Sequence, residues 1–257
     1  PVERDKAAVV RADLEEASQV KALHKQSAPP VPVMPFEDQV RGFLQAYPEG
    51  FRDLAWIRDV RGSGETTRKK KHRDPVIEEA QTTFGAAPLR EAVDAGDFAG
   101  VCKAAGALLI ATDLVAISQA REFGKIGAEH QEPVARALLD LLHGEGKYGQ
   151  RFRNWVGALA AALGKKPSWR LATALPALVH PERHVCVRPS TFKRQAAVFA
   201  PTRVYSKGPR RRAYANFRHV ARATLEKLEA ASLQPRDLLD VHDFIWATLR
   251  PAALPKA

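Results

Sequence analysis

Apolar residues recur every three or four positions along most of the chain, and strict alternation is almost absent, so the pattern predicts helices nearly throughout. Residues 3–25 read as a charged helix with Ala8, Val9, Val10, Leu14 and Val20 apolar. Pro29, Pro30, Pro32 and Pro35 cannot continue it and predict an extended linker. The body begins at Phe36, with Val40, Phe43, Leu44 and Tyr47 at helical spacing. Pro48-Glu49-Gly50 turns the chain, Phe51–Val60 restarts a helix, and Gly62-Ser63-Gly64 breaks it. A short helix is expected near Pro88–Ala95, a long buried one over Phe98–Phe123, and one over His130–His143 with Val134, Leu138, Leu139 and Leu142 on one face. Tyr148–Leu163 is amphipathic, Ser168 is placed to cap Trp169–Leu178, and Pro189-Ser190-Thr191 opens Phe192–Phe199. Arg210–Ala231 and Pro235–Leu249 complete the set. Only His184–Arg188 alternates enough for an extended piece. The expected fold is mainly α: a single helical body of about eight to ten helices, a short extended piece near 184–188 and an N-terminal helical arm. The expected parts are an N-terminal helix (1–26), a Pro-rich linker (27–35), a scaffold (36–146) and a basic part (147–257) forming one body with the scaffold.

Charge changes this picture. The 257 residues carry a formal +11, with a pI near 9.9. Between Lys147 and Arg222 there are seventeen basic residues and one acidic residue, Glu182, so the rest of the chain is net negative. A concentration of cations this one-sided must face an anion or bear its own repulsion. Nucleic-acid phosphate is the usual partner, because Lys and Arg release condensed counterions there. Arg68-Lys69-Lys70-Lys71-His72-Arg73 is a second basic run, read either as a solvated face or as a phosphate contact.

Other classes are disfavoured. There is no Walker loop, no complete dinucleotide fingerprint and no GxSxG elbow. Two cysteines, Cys102 and Cys186, suggest neither a disulfide framework nor a zinc ribbon. His180, His184 and Cys186 match no metalloprotease spacing, so no metal and no cofactor are expected. The longest apolar run, Ala104–Ile117, is too short and too polar for a membrane span. With no apolar signal segment at residues 1–5, a cytoplasmic setting without a membrane partner is expected.

Within the basic part, Arg188, Lys193 and Arg194 cluster at a helix start and are the leading phosphate contacts. Lys165, Lys166, Arg210, Arg211, Arg212, Lys69, Lys70 and Lys71 extend that set. Trp169 and Tyr205 are candidates for stacking on an unpaired base, against a core role for Trp155 and Trp169 on their amphipathic helices. Asp240 and Asp243 are the candidate catalytic acids. They share a helical face with Asp237 and could stabilise a sugar cation or activate water. The structural alternatives are a cap at Asp237 and arginine pairs at Asp240 and Asp243.

Leu163-Gly164-Lys165-Lys166-Pro167-Ser168 with Thr173-Ala174, followed by an extended piece and a new helix, resembles the helix-hairpin-helix DNA glycosylases over residues 163–194. That resemblance implies a hairpin whose backbone N–H groups bind phosphate and an enzyme that flips out a base. The family's aspartate after the extended piece is replaced here by Arg188-Pro189-Ser190, so the chemistry would sit elsewhere. Tyr47–Phe51, His180–Pro189 and Gln234–Trp246 also look like segments of a bacterial family of uncharacterised helical proteins, which implies no activity. The leading expectation is a metal-independent, glycosylase-like enzyme that removes a modified or damaged base in repair or anti-phage defence. The alternative is a non-catalytic DNA- or RNA-binding module, or a subunit of a larger defence or regulatory complex. Duplex DNA is favoured over single strands, RNA is the other nucleic-acid partner, and the N-terminal helix is the expected contact for a protein partner.

Overall fold

Among the described residues the apolar stripes become twelve α-helices. The computed structural model of the protein describes residues 33–203 and 205–254. The expected helix at 3–25 and the linker up to residue 32 lie outside the described residues. The described residues from Met34 onward form one unit. The helices are α1 (Phe36–Ala46), α2 (Leu54–Trp56), α3 (Asp74–Thr83), α4 (Ala86–Asp94), α5 (Phe98–Ala111), α6 (Ile117–Phe123), α7 (Ala128–His143), α8 (Tyr148–Leu163), α9 (Trp169–Val179), α10 (Pro189–Phe199), α11 (Arg211–Ala230) and α12 (Leu238–Leu249).

Two helices sit at the centre. Every residue of α9 from Leu171 to Val179 is buried, and so is every residue of α12 from Leu238 to Ile245. Helices α3, α5, α7 and α8 pack on α9, whereas α1, α10 and α11 pack on α12. Each large apolar side chain fully buried this way contributes roughly 1.5–3 kcal/mol. Pro176 lies inside α9 without ending it. A proline there lacks the N–H that would bond the carbonyl four residues back. That carbonyl, on Ala172, instead accepts a hydrogen bond from the Trp155 indole at 3.0 Å.

The sequence expectation differs from the fold at three places. The helix count exceeds eight to ten because short pieces form separately and 98–123 is divided. That stretch breaks at Thr112, whose backbone is extended and whose hydroxyl accepts the Leu114 N–H. Distant side chains hold the break open. Arg170 donates to the carbonyls of Leu114 and Asp113 at 2.5 and 2.6 Å, and Arg188 to that of Asp113 at 3.1 Å. The 184–188 piece is non-helical, with Arg188 extended, but no strand forms among the described residues. Side chains satisfy its backbone: the Val187 N–H donates to the Thr173 hydroxyl at 2.9 Å. Finally, Phe51–Val60 is not one helix. Gly50–Arg52 is a 3₁₀ turn, and α2 runs into a π-helical turn, Ile57–Arg61. Gly62 ends that turn at φ 73°, and a Cβ there would meet the His72 ring at 2.5 Å.

Candidate nucleic-acid interface

The arginines fall into two environments. The first surrounds the start of α12. Asp237 caps that helix, accepting the N–H groups of Leu239 and Asp240 at 2.8 and 3.0 Å. The π-turn aims Arg61 inward, where its guanidinium lies 2.8 Å from Asp237, 2.9 Å from Asp74 and 3.3 Å from Asp240. Asp240 also accepts from the Trp56 indole at 3.1 Å and the Arg236 N–H at 2.8 Å. Asp74 accepts from Arg236 and from the Ser63 hydroxyl. One turn on, Arg73 grips Asp243 with two bonds of 2.7 and 2.8 Å and reaches Asp113 at 2.7 Å. His242 completes the cluster between Asp243 Oδ1 at 2.9 Å and Arg188 Nε at 3.2 Å. A guanidinium only donates, so His242 Nε2 is the acceptor and Nδ1 carries the proton toward Asp243.

Protonation follows from this crowding. Burial opposes a charge on Asp243, but the Arg73 guanidinium and the His242 hydrogen bond hold its carboxyl well below the usual range. Asp240 goes the other way: burial raises it to about 6, against the pull of Arg61 and helped by the neighbouring Asp237 charge. His242 is pushed down by burial and stays neutral. The two candidate catalytic acids are therefore interior groups. Asp240 is 0% exposed and Asp243 7%, and their oxygens are bound by Arg61, Arg73, Trp56 and His242.

The same accounting applies to the other sequence candidates. Arg188 is half-buried, bonded to His242 and to the Asp113 carbonyl, with its guanidinium 4.3 Å from the Trp246 ring centre. Arg194 donates to the Leu249 carbonyl, and Lys165 lies 2.5 Å from Glu122. Trp169 is 2% exposed, its indole donating to the Ser206 carbonyl and its ring against Phe217. The Tyr205 ring also packs on Phe217, at 4.7 Å, and is half-buried. Trp169 and Tyr205 are thus placed as packing residues. Lys69, Lys70, Lys71, Lys166 and Lys193 are exposed. His180 and His184 face the Leu142 carbonyl and the Tyr148 ring, and Cys186 is buried beside backbone carbonyls, its thiol pushed up to about 11 by burial. Among the described residues no three His, Cys, Asp or Glu side chains gather as metal ligands, and no helix is long and apolar enough to cross a membrane.

The second arginine environment is the junction of α8 and α11. Arg210, Arg211 and Arg212 are exposed at the start of α11, and with Arg153 they line a cleft of about 280 Å³ over Phe152 and Val156. Arg211 lies across Gly149, where a Cβ would meet its Cδ at 2.5 Å. Neither α8 nor α11 has a side-chain cap or an acidic residue in its first turn. Cations at the positive end of a helix dipole are unfavourable, by roughly 0.3–1 kcal/mol each at an exposed site. Among the described residues no carboxylate pairs with Arg153, Arg210, Arg211 or Arg212. An anion bound here would offset both the mutual repulsion and the dipole.

Sequence reasoning found Arg210–Arg212 but missed Arg153 and Arg151. The signal was present: Lys147, just before α8, and Arg151 and Arg153 within it have no acid three or four residues away. It also missed Arg61, Arg73 and Asp113 as members of a shared cluster, which no local spacing reveals. No family model, curated protein or solved structure matches the chain.

Proposed function

We propose that the protein is a nucleic-acid-binding module whose contact face is the α8–α11 junction. The observation that carries this reading is the cleft lined by Arg153, Arg210, Arg211 and Arg212, beside the uncapped start of α11 and the first turns of α8, without a carboxylate paired to any of the four among the described residues. Phosphates along a strand are the extended anion that such a face fits. The deciding experiment is fluorescence anisotropy with duplex and single-stranded DNA and RNA across a salt series. The expected result is salt-sensitive binding, with each of Arg211→Gln and Arg212→Gln lowering the log–log salt slope by about one. Absence of binding to every nucleic acid at moderate salt would overturn the proposal.

The non-catalytic form of the reading is favoured because Asp240 and Asp243 are consumed by arginine pairs. One observation keeps a glycosylase-like activity as a second reading. The Asp113 carboxylate, at the break between α5 and α6, is 43% exposed and stands beside Arg73. Its backbone also joins Arg188, which stacks on Trp246. An enzyme acting there would release alkali-labile strand breaks from a duplex carrying a modified base. Asp113→Asn would abolish that turnover and leave affinity intact.

A further inference from the structure

A second basic pocket opens where α8 meets the His180–Arg183 turn and α11. It encloses about 180 Å³, with Arg151, Arg183 and Arg218 among its lining residues. That is smaller than the roughly 300–1,000 Å³ usual for drug-sized ligands, so it suits a small anion better than a nucleoside.

The charges do not balance. Glu182 is the carboxylate at hand, 3.3 Å from Arg183 Nε and 3.9 Å from His180 Nδ1. The Asp140 carboxylate is a second one nearby, its Oδ1 sharing the space beside Gly144 with Arg151 Cδ, so the three guanidinium groups leave a surplus of one positive charge. Arg151 and Arg218 both lie over the Tyr148 ring, at 5.3 and 5.4 Å. Their remaining contacts are to carbonyls: Arg151 to Asp140 and Leu141, Arg218 to Arg183. One polar atom of the lining, Arg151 Nε, is buried without a hydrogen-bond partner, whereas the Tyr148 hydroxyl lies toward that of Tyr214. A buried donor left open beside a pocket calls for an explanation, and an acceptor absent from the chain itself supplies one.

We infer that this pocket seats one phosphomonoester dianion, and that the dianion is the terminal phosphate of a nucleic-acid strand lying on the α8–α11 face. The inference rests on the nucleic-acid reading above. A monoester phosphate carries about −1.5 to −2 charges and three acceptor oxygens at neutral pH, one for each guanidinium group, whereas an internal phosphodiester carries one charge and two such oxygens. Guanidinium groups suit the three terminal oxygens through charge-assisted, forked hydrogen bonds.

The test is anisotropy with one short oligonucleotide sequence in three forms: both ends hydroxyl, 5′-phosphate and 3′-phosphate. One terminal phosphate is expected to raise affinity about tenfold, the effect of a single net charge-assisted bond. Arg218→Gln should abolish that increment. Arg183→Gln should reduce it, and this side chain is 68% exposed, so folding is not at stake. Arg212→Gln should weaken all three forms equally. Equal binding of the three forms, or an increment that survives both pocket variants, would overturn this inference and leave the broader binding face standing. Failure of every form to bind would overturn both. In that case a melting-temperature rise with inorganic phosphate alone, lost in Arg183→Gln, would reassign the pocket to free phosphate.

Discussion

Arg73 and Arg218 are chemically identical and lie in basic segments of similar appearance, yet they do opposite things. Arg73 is 2% exposed and held by Asp243 and Asp113. Arg218 is half-buried over a tyrosine and bonds a carbonyl. Around α12, Arg61, Arg73 and Arg236 meet five aspartates: Asp74, Asp113, Asp237, Asp240 and Asp243. Around α8 and α11 the arginines meet rings, carbonyls and each other. Positive charge in the first region is spent inside the protein. In the second it remains available to a partner. A run of basic residues thus reports a surface only after its internal counterions are known.

The largest effect should come from cutting the interior pairs. Arg73→Met leaves Asp243 buried without its counterion and should destabilise the fold by roughly 3–5 kcal/mol in urea unfolding. Adding Asp243→Leu should recover much of that loss, because a buried pair replaced by apolar groups is often near neutral. Asp240→Asn should cost less, about 1–2 kcal/mol. Asp240 is already driven toward its neutral form.

Next in size is the acid response. His184 is stacked on Tyr148 at 4.3 Å, and burial, with Arg218 and His180 nearby, pushes its pKa down to about 3. The fold therefore keeps His184 neutral while the unfolded chain takes up a proton near pH 6.5. Stability from this group is full above pH 6.5 and falls as the pH drops toward 3. The loss reaches roughly 2 kcal/mol by pH 5. Asp240 acts in the opposite sense, because its raised pKa favours the fold as pH falls from about 6 toward 4. Asp243, held low, withdraws its support only below about pH 4. Comparing wild type with His184→Phe isolates the histidine: the gap between their stability curves should widen steadily below pH 6.5.

The smallest stability effects belong to the α8–α11 face. Arg211→Gln and Arg212→Gln should change stability by about 0.5 kcal/mol or less while lowering nucleic-acid affinity. A large stability loss in either variant would mean that these arginines serve the fold, and the contrast between the two regions would collapse.

Much of the helical framework was legible because it depends on local periodicity. Tyr148–Leu163 matches α8 end to end, and Ser168 caps α9 by accepting the Leu171 N–H. Pro189 stands at the first turn of α10, as its fixed φ predicts. The break at Thr112–Ala116 was not legible, since its apolar flanks read as one helix and its stabilising donors are Arg170 and Arg188. The roles of Asp240 and Asp243 were left open between catalysis and arginine pairing. The pairing partners, Arg61 and Arg73, lie 179 and 170 residues away. Trp169, on an amphipathic helix, reads from sequence as a core residue as readily as a stacking one, and Tyr205, in a loop before Arg210, as the more exposed of the two, whereas both rings pack against Phe217.

By itself, the sequence determined the α-helical class, most helix positions and the segment that holds the excess charge, because periodicity, capping and net charge are local or additive properties. The tertiary structure decided which arginines are neutralised and which face outward, because an ion pair depends on distance in space. Residues far apart in the chain supply the carboxylates for Arg61 and Arg73, and no carboxylate among the described residues forms an ion pair within 4 Å of Arg151, Arg218 or the arginines at the start of α11.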